Sequence, residues 1–540
     1  MKGSGMVSFG SSAARLRTAA ALAALIVAGA AFAQAQTQVP APAPVADPAA
    51  TPPAAAPVAT PAAAPDTPST AQPAAPPTPS SAAGPAAAAP APAFRIVSTE
   101  PQGPNKPAIN QAIRGAVARD RGAAGRLTAQ EGAIRRAVDA YYAARGDAPV
   151  WLDHGQWTPQ ARATFEQLQR APEDGLDLSA YRVFSLGEGS DKALALGDVA
   201  LSQAVAAYAF QASGGRIDPA RISKLIGSKP DVVSAARALD ETSKSDDAAR
   251  TLEGYNPRQS GYLALKAKLA ELRAEPVAMA QLASADHGRR MTDAARVGSR
   301  RSARLEDEIL TNMEFWRWLP RDLGADRIMV NVPEFTARLY RNNTLVLPVR
   351  VITGKPNKPT PLFSDKIQYI IVNPSWNVPQ SIIRNEMMPH LAALRAQGYV
   401  ITEVNGRIHV RQPPGERNAL GRIKFVFPND YAVYMHDTPT RNLFSASRRA
   451  FSHGCVRVDQ PFKLAEDLLQ PENGWTEARI KKLLGSHERR VTLPQPMPIH
   501  IVYFTATVDD AGDLKQFDDV YGYARKVGEL LGLGGKSERG

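Results

Sequence analysis

The sequence predicts an α+β chain in which a helical segment precedes a mainly β domain, and three observations carry that prediction. Apolar residues recur at helical spacing between about Thr128 and Glu275. After Ile309 the texture changes to strict alternation broken by tight turns. Residues 36–94 hold almost nothing but Ala, Pro, Thr and Ser, so the folded part starts beyond them. With 540 residues and 44% of them hydrophobic, the chain can support more than one packed core.

In the helical segment, Thr158-Pro159 places a cap before an N1 proline and opens a helix with Phe165 and Leu168 on one face. Asp198 is expected to cap a second helix that carries Leu201, Val205 and Tyr208 and stops at Gly214-Gly215. A third sets Tyr262, Leu265, Leu269 and Leu272 at i, i+3, i+7 and i+10. These stripes suit core-facing helices and bring no catalytic cluster together, so residues 128–275 read as a helical scaffold domain. Arg289, Arg290, Arg296, Arg300, Arg301 and Arg304 then mark a basic linker over 276–308, expected as a solvated, partly helical face.

The β segment opens with alternation over 334–340, a tight turn at Asn342-Asn343 and a second strand over 344–351, a hairpin signature. Further strands are expected at 367–372, 422–427, 431–435 and 499–504, with helices at 381–397 and 460–469. Together they make one domain over 309–506, with 507–540 as a C-terminal extension whose last residues, Gly534 to Gly540, fray.

The N-terminus addresses the compartment. Lys2, Arg15 and Arg17 precede a small-apolar run from Ala19 to Ala33, and Ala31-Phe32-Ala33 and Ala33-Gln34-Ala35 offer cleavage patterns, so residues 1–35 read as a signal peptide. An uncleaved anchor is the alternative. Residues 36–94 form a disordered tether, and no later stretch reads as a membrane span. The folded chain is therefore expected outside the cytoplasm. The formal charge of +12 favours anionic surfaces in general: nucleic acid, lipid headgroups or an acidic wall polymer. No zinc-finger spacing, RNA-binding signature or long Lys/Arg run selects nucleic acid, and none is expected as a partner.

Export makes the single cysteine, Cys455, informative, because thiols outside the cytoplasm usually pair. An inert buried thiol is the bland alternative. A thiol attacks as thiolate, and a nearby imidazole can take its proton and return it to a leaving amine. His436 ends an expected strand and is the first choice of base. His453, two residues before Cys455, is the second choice and more naturally orients the turn. Gly454 suits a tight turn whose amides could form an oxyanion hole. Arg457 could lower the thiol pKa or bind a substrate carboxylate. Ser452 lacks an acidic residue placed to complete a serine arrangement. Trp376, Asn377 and Tyr434 are candidates for lining a substrate groove, with packing the commoner role for such aromatics.

A histidine, fifteen intervening residues and then Ser452-His453-Gly454-Cys455 resembles the signature of L,D-transpeptidases with a YkuD-type catalytic domain. The flanks resemble the long-form, scaffold-bearing branch of Gram-negative envelopes: Asn312 to Pro320 (NMEFWRWLP), Asn373-Pro374-Ser375-Trp376-Asn377-Val378-Pro379, Gln412-Pro413-Pro414-Gly415, Asn418-Ala419-Leu420-Gly421, and His436-Asp437-Thr438-Pro439. Gly175-Leu176 and Tyr181 are similar to the scaffold of that branch. Two departures stand out. Many family members carry asparagine where this chain has Arg457, and the small peptidoglycan-binding repeat of the long form has no room between Glu275 and Arg304.

The resemblance implies a mainly β catalytic domain, sandwich- or barrel-like with flanking helices, in the periplasm. It implies that Cys455 attacks the bond between diaminopimelate and D-alanine in a peptidoglycan tetrapeptide, with His436 as general base and acid. D-Alanine leaves, and the acyl group passes to a second diaminopimelate amine as a 3→3 cross-link. Ser452 and Arg457 would contact substrate, no metal or cofactor is required, and carbapenems would acylate Cys455. The alternatives are an L,D-carboxypeptidase, a protein-to-peptidoglycan ligase and, from another class, a non-catalytic wall-binding protein.

Overall fold

The computed structural model describes residues 107–122, 127–181, 185–186, 189–285, 293–469 and 474–534. The expected signal peptide, the tether and the closing residues 535–540 lie outside them.

The scaffold is built from α1 (Pro107–Gly122), α2 (Ala129–Ala144), α3 (Pro159–Gln169), α4 (Asp191–Gly214), α5 (Ala235–Ser243) and α6 (Ala248–Glu253). Thr128 closes a capping box with Glu131, and the Thr158 side chain caps α3 just before Pro159. The core begins earlier than expected, because Ile109, Ile113 and Val117 of α1 pack into it. α4 has the length and apolarity of a membrane span, which the sequence reading did not anticipate. It is mostly buried among the other helices, and burial all round explains its composition. Asp198 also departs from expectation. Ser190 is the N-cap of α4, and Asp198 lies inside the helix, where its buried carboxylate accepts the Val150 and Trp151 N–H groups at 3.1 and 2.8 Å. It caps a neighbouring loop rather than its own helix.

The 276–308 stretch is helical throughout its described parts: α7 (Ser260–Ala285) runs into it, and α8 (Asp293–Arg317) begins within it. Ile309, Met313 and Trp316 carry the end of α8 into the core, giving the helix a tertiary anchor that arginine content alone does not reveal. Tyr262, Leu265 and Leu269 of α7 share one core with the β domain, so the boundary expected at 275 cuts through packed side chains. Within this join Glu314 and Arg317 form a buried ion pair at 3.5 Å, and Glu314 also accepts the Ile217 N–H at 2.8 Å. Trp316 stacks on Phe504 with ring centroids 4.4 Å apart. Gly261 stands where any side chain would meet the Trp316 ring.

The β domain contains β1 (Arg327–Asn331), β2 (Thr336–Arg341), β3 (Thr344–Gly354), β4 (Phe363–Val372), β5 (Trp376–Asn377), β6 (Val400–Val404), β7 (Arg407–Gln412), β8 (Ile423–Val426), β9 (Met435–His436), β10 (Ala450–Ser452), β11 (Val456–Val458) and β12 (Arg489–Val502). Nine of these strands form one sheet in the order β10-β3-β11-β9-β8-β4-β12-β1-β2. Because β2 also pairs with β3, every strand but β10 joins a closed ring, so the domain is barrel-like. Asn342 and Asn343 both adopt left-handed φ, 48° and 62°, in the β2–β3 hairpin, as a primed turn requires. The strand expected at 431–435 shrinks to Met435–His436. Asn429 Oδ1 accepts the Tyr431 and Val433 N–H groups, a side-chain-made turn that displaces ladder pairing.

Two further elements bear on the site. β5, β6 and β7 make a separate three-stranded sheet which, with helical turns over 380–396, forms a small unit around Val378, Ile383 and Val410. The 507–534 segment is less an extension than part of the core, since Tyr523, Val527 and Leu531 of the helix Tyr523–Leu531 are buried with the barrel residues. Tyr521 Oη donates to Gly354 O at 2.7 Å, tying that segment to the end of β3.

Candidate active site

The site follows from strand register. β8 pairs antiparallel with β9 through Lys424↔His436, and β9 pairs parallel with β11 through Met435↔Val456 and His436↔Arg457. Phe425, Met435 and Val456 are fully buried in the barrel core. Side chains alternate along a strand, so Lys424, Tyr434, His436, Cys455 and Arg457 share the opposite face. Lys424, His436 and Arg457 form a row across three strands, with Tyr434 and Cys455 beside it. Val456 N donates to Tyr434 O at 3.1 Å, bringing the residue before β11 against the residue before β9. Cys455 and His436 are then diagonal neighbours, a relation that puts Cβ atoms roughly 7–8 Å apart or less, within reach of an imidazole.

Cys455 sits half-buried just after Gly454, whose φ of 114° is open to glycine and strained for any other residue. Ser452 braces this turn rather than waiting for substrate. Its buried Oγ donates to Cys455 O at 2.5 Å and accepts the Gly454 N–H at 3.1 Å. The Gly454 amide expected to face an oxyanion is therefore already engaged, because the turn closes on its own serine. β10 fixes the turn to the barrel through parallel pairing of Ser452 with Gly354, and Lys355 N donates to Ser452 O at 3.0 Å.

His436 is buried, and its Nδ1 bonds the backbone carbonyl of Asp437. A carbonyl only accepts, so Nδ1 carries the proton and Nε2 keeps its lone pair. Burial, together with the Arg457 and Lys424 charges, pushes the imidazole pKa down to about 3, against the opposing pull of the Asp437 and Leu420 carbonyls. The ring is neutral at any ordinary pH. The Asp437 carboxylate accepts the Arg422 and Thr438 N–H groups at 2.8 and 2.7 Å and pairs with Arg441 at 2.6 Å. Gly421 has φ of 62°, and the space a side chain would fill there is occupied by that carboxylate. These contacts hold the carbonyl that sets the His436 tautomer.

Burial pushes the Cys455 thiol pKa up, while Tyr434, Lys424 and Arg457 pull it down. Tyr434 reaches the thiol through both its backbone and its side chain, and the Trp376 side chain bonds Tyr434 in turn. Lys424 Nζ lies 3.7 Å from the Tyr434 ring centroid, and the His436 ring meets the same tyrosine edge-on at 5.7 Å. No hydrogen bond joins His436 to Cys455 in this arrangement. The thiol rests on the tyrosine.

His453 faces the other way. Its Nε2 bonds Glu386 Oε1 at 3.0 Å, and Glu386 belongs to a π-helical turn, Ile383–Met387, in the small unit. It bridges that unit to the cysteine turn, and no described hydrogen bond joins it to the thiol. Trp376 and Asn377 lie on β5, paired with Gln412 and Arg411 of β7, so both groove candidates sit on the edge of the same unit. Among the described residues, no three His, Cys, Asp or Glu side chains gather as a metal site.

With this geometry in hand, comparison with known proteins is decisive at the level of family. Residues 325–479 match the YkuD family of L,D-transpeptidase catalytic domains, and residues 136–269 match the Scaffold domain family. The segment around Cys455 is an L,D-transpeptidase catalytic domain. A Haemophilus influenzae protein whose name places it provisionally among the L,D-transpeptidases is 34% identical over 222 residues, 37% of this chain and 45% of that one. The chain thus spans less than half the length of that relative. Among solved structures, an L,D-transpeptidase from Mycobacterium smegmatis is 14% identical, covering 33% of this chain and 58% of that chain, with a TM-score of 0.19. The ertapenem-acylated catalytic domain of the E. faecium L,D-transpeptidase is 11% identical, covering 33% and 95%, with a TM-score of 0.18.

Within this L,D-transpeptidase domain, the sequence alone singles out Cys455 and His436, treats Tyr434 as groove lining and passes over Lys424. The available signal for Tyr434 was its place two residues before His436, on the same strand face. Lys424 gave none, since a lysine on a short strand reads as solvated surface.

Proposed function

We propose that the chain is an exported peptidoglycan L,D-transpeptidase with Cys455 as nucleophile and His436 as general base and acid, acting in the periplasm on stem peptides. The observation that carries the reading is a buried His436, its Nδ1 against the Asp437 carbonyl, one diagonal step from Cys455 inside an L,D-transpeptidase domain. The thiol swings from Tyr434 to His436 Nε2 and gives up its proton. The thiolate attacks the carbonyl between diaminopimelate and D-alanine, the C–N bond breaks, and His436 returns the proton to the departing amine. A second diaminopimelate amine then attacks the thioester, loses its proton to His436, and leaves the thiol restored and a 3→3 cross-link formed. The Cys455 amide, rather than that of Gly454, is the backbone donor available to the oxyanion. Only a proton and an acyl group change hands, so no metal or organic cofactor enters. A carbapenem is expected to acylate the same sulfur.

The test is an incubation of the purified protein with disaccharide-tetrapeptide, followed by intact-mass spectrometry of wild type and Cys455→Ala. A Cys455-dependent acyl adduct and a cross-linked dimer support the reading, and the absence of both overturns it. Tripeptide without dimer makes the protein an L,D-carboxypeptidase, and transfer to an added protein amine makes it a ligase.

A further inference from the structure

Two cations flank the reacting pair and neither has an ionic partner. Lys424 and Arg457 stand on either side of His436 in the β8–β9–β11 register. Both side chains are half-buried, and among the described residues neither makes an ion pair or a side-chain hydrogen bond. Lys424 Nζ lies over the Tyr434 ring, 3.7 Å from its centroid. Arg457 Nε is buried without any hydrogen-bond partner. The acid that acts on Lys424 is Glu488, whose Oε1 accepts the Ser375 N–H, and no ion pair joins Lys424 to it among the described residues. A buried cation without a counter-charge costs far more than a surface one, so two beside one catalytic pair need an anion that arrives with the substrate. Both feel Cys455, whose thiolate is transient and single, and the planar Arg457 fork is shaped for a carboxylate.

We infer that Lys424 and Arg457 are specificity-determining residues of the donor subsite, forming a carboxylate cradle for the terminal α-carboxylate of the residue the enzyme releases. This deepens the proposed function and rests on it. In a stem ending in a single D-amino acid, the terminal carboxylate carbon lies three bonds from the attacked carbon, about 3–4 Å away. A carboxylate so close to Cys455 falls within the row of cations. A further residue would move the carboxylate out by about 3.5 Å and put a neutral amide between the two charges. Amidation of the terminus would remove the anion with little change in shape.

The experiment uses the full chain and three donors: disaccharide-tetrapeptide, the same tetrapeptide with a C-terminal amide, and the pentapeptide. Acyl-enzyme formation is followed by mass for wild type, Lys424→Met and Arg457→Met, and iodoacetamide alkylation of Cys455 is measured in each protein. Wild type is expected to prefer the free carboxylate over the amide by about tenfold or more in kcat/KM, the scale of one charge-assisted contact. Each variant should bring that ratio toward one, chiefly by raising KM for the carboxylate donor. If the cations serve only to tune the thiol, alkylation and all donors fall together and the ratio survives, which overturns the cradle. Equal wild-type rates on tetrapeptide and its amide overturn it without any variant. No adduct from any donor would instead sink the transpeptidase reading itself.

Discussion

Tyr434 holds the Cys455 thiol with both backbone and phenol, while its ring carries Lys424 Nζ on one side and meets the His436 ring on another. One side chain thus links Cys455, His436 and Lys424. Tyr434→Phe keeps the ring contacts and deletes the hydroxyl. A hydrogen bond to a charged group is worth roughly 1.5–3 kcal/mol. The acylation rate at neutral pH should therefore fall roughly ten- to a hundredfold, with the alkylation pH profile of Cys455 moved upward. Stopped-flow acylation by a carbapenem reads the first and iodoacetamide kinetics the second. An unchanged profile would leave the tyrosine a packing residue.

The depressed pKa of His436, about 3, has a consequence for stability. The unfolded imidazole takes up a proton near its ordinary value of about 6.5, and the folded one does not until far lower. The unfolded state therefore binds more protons across that window, and stability contributed by this site is intact above about pH 6.5 and lost as pH falls toward 3. The slope approaches roughly 1.4 kcal/mol per pH unit for one proton. His500, held between Ser364 and the Leu323 carbonyl, is shifted the same way, whereas burial raises Asp198 to about 6 and opposes the trend. The contribution is isolated by urea titrations of wild type and His436→Gln between pH 7 and 4. The variant should show the shallower decline, and parallel curves would refute the assignment.

Glu314 and Arg317 are each almost fully buried where the scaffold helices meet the barrel, and Glu314 also satisfies the Ile217 N–H. Glu314→Ala leaves a buried guanidinium short of its partner and a backbone donor unpaired. Such losses typically cost about 3–5 kcal/mol. Denaturant unfolding monitored by tryptophan fluorescence should show that loss in one transition, because α7 and α8 pack in the same core as the strands. Two separated transitions would instead mean that scaffold and barrel unfold independently.

What the sequence disclosed was local, and what it hid was long-range. The Asn342-Asn343 hairpin and the Thr158-Pro159 cap could be read because each is settled within a few residues. Cys455 and His436 stood out in the sequence because a lone thiol and a fixed spacing coincide. That the same Asn342-Asn343 hairpin closes a ring left no mark, since period two looks alike in a sandwich and a ring and the parallel β12–β1 pairing joins residues far apart in sequence. Asp198 was misplaced because its partners, the Val150 and Trp151 amides, lie far away in sequence. Lys424 and Ser452 gained their roles only from register and turn closure, which no window of sequence contains.

Glu386 and His453 form the one described hydrogen bond that ties the small unit over 376–412 to the cysteine turn by side chains on both sides, at 3.0 Å. Both groups are partly exposed, so the bond is worth no more than about 0.2–1 kcal/mol, and the Trp376–Tyr434 side-chain bond holds the unit beside it. Burial lowers the His453 pKa against the pull of Glu386, with Lys355 and Arg457 adding to the lowering, so the ring is neutral at pH 7 and Nε2–H donates to the carboxylate. Acidification that protonates His453 should tighten the clasp. Glu386→Ala should therefore raise KM for the donor a fewfold, up to about fivefold for 1 kcal/mol. Acylation at saturating donor should stay within about twofold, because no described hydrogen bond joins His453 to the thiol. Hydrogen exchange should rise across 376–412 in the variant and stay level in the barrel strands. A drop in saturated rate without a change in KM would move His453 from the clasp into the chemistry.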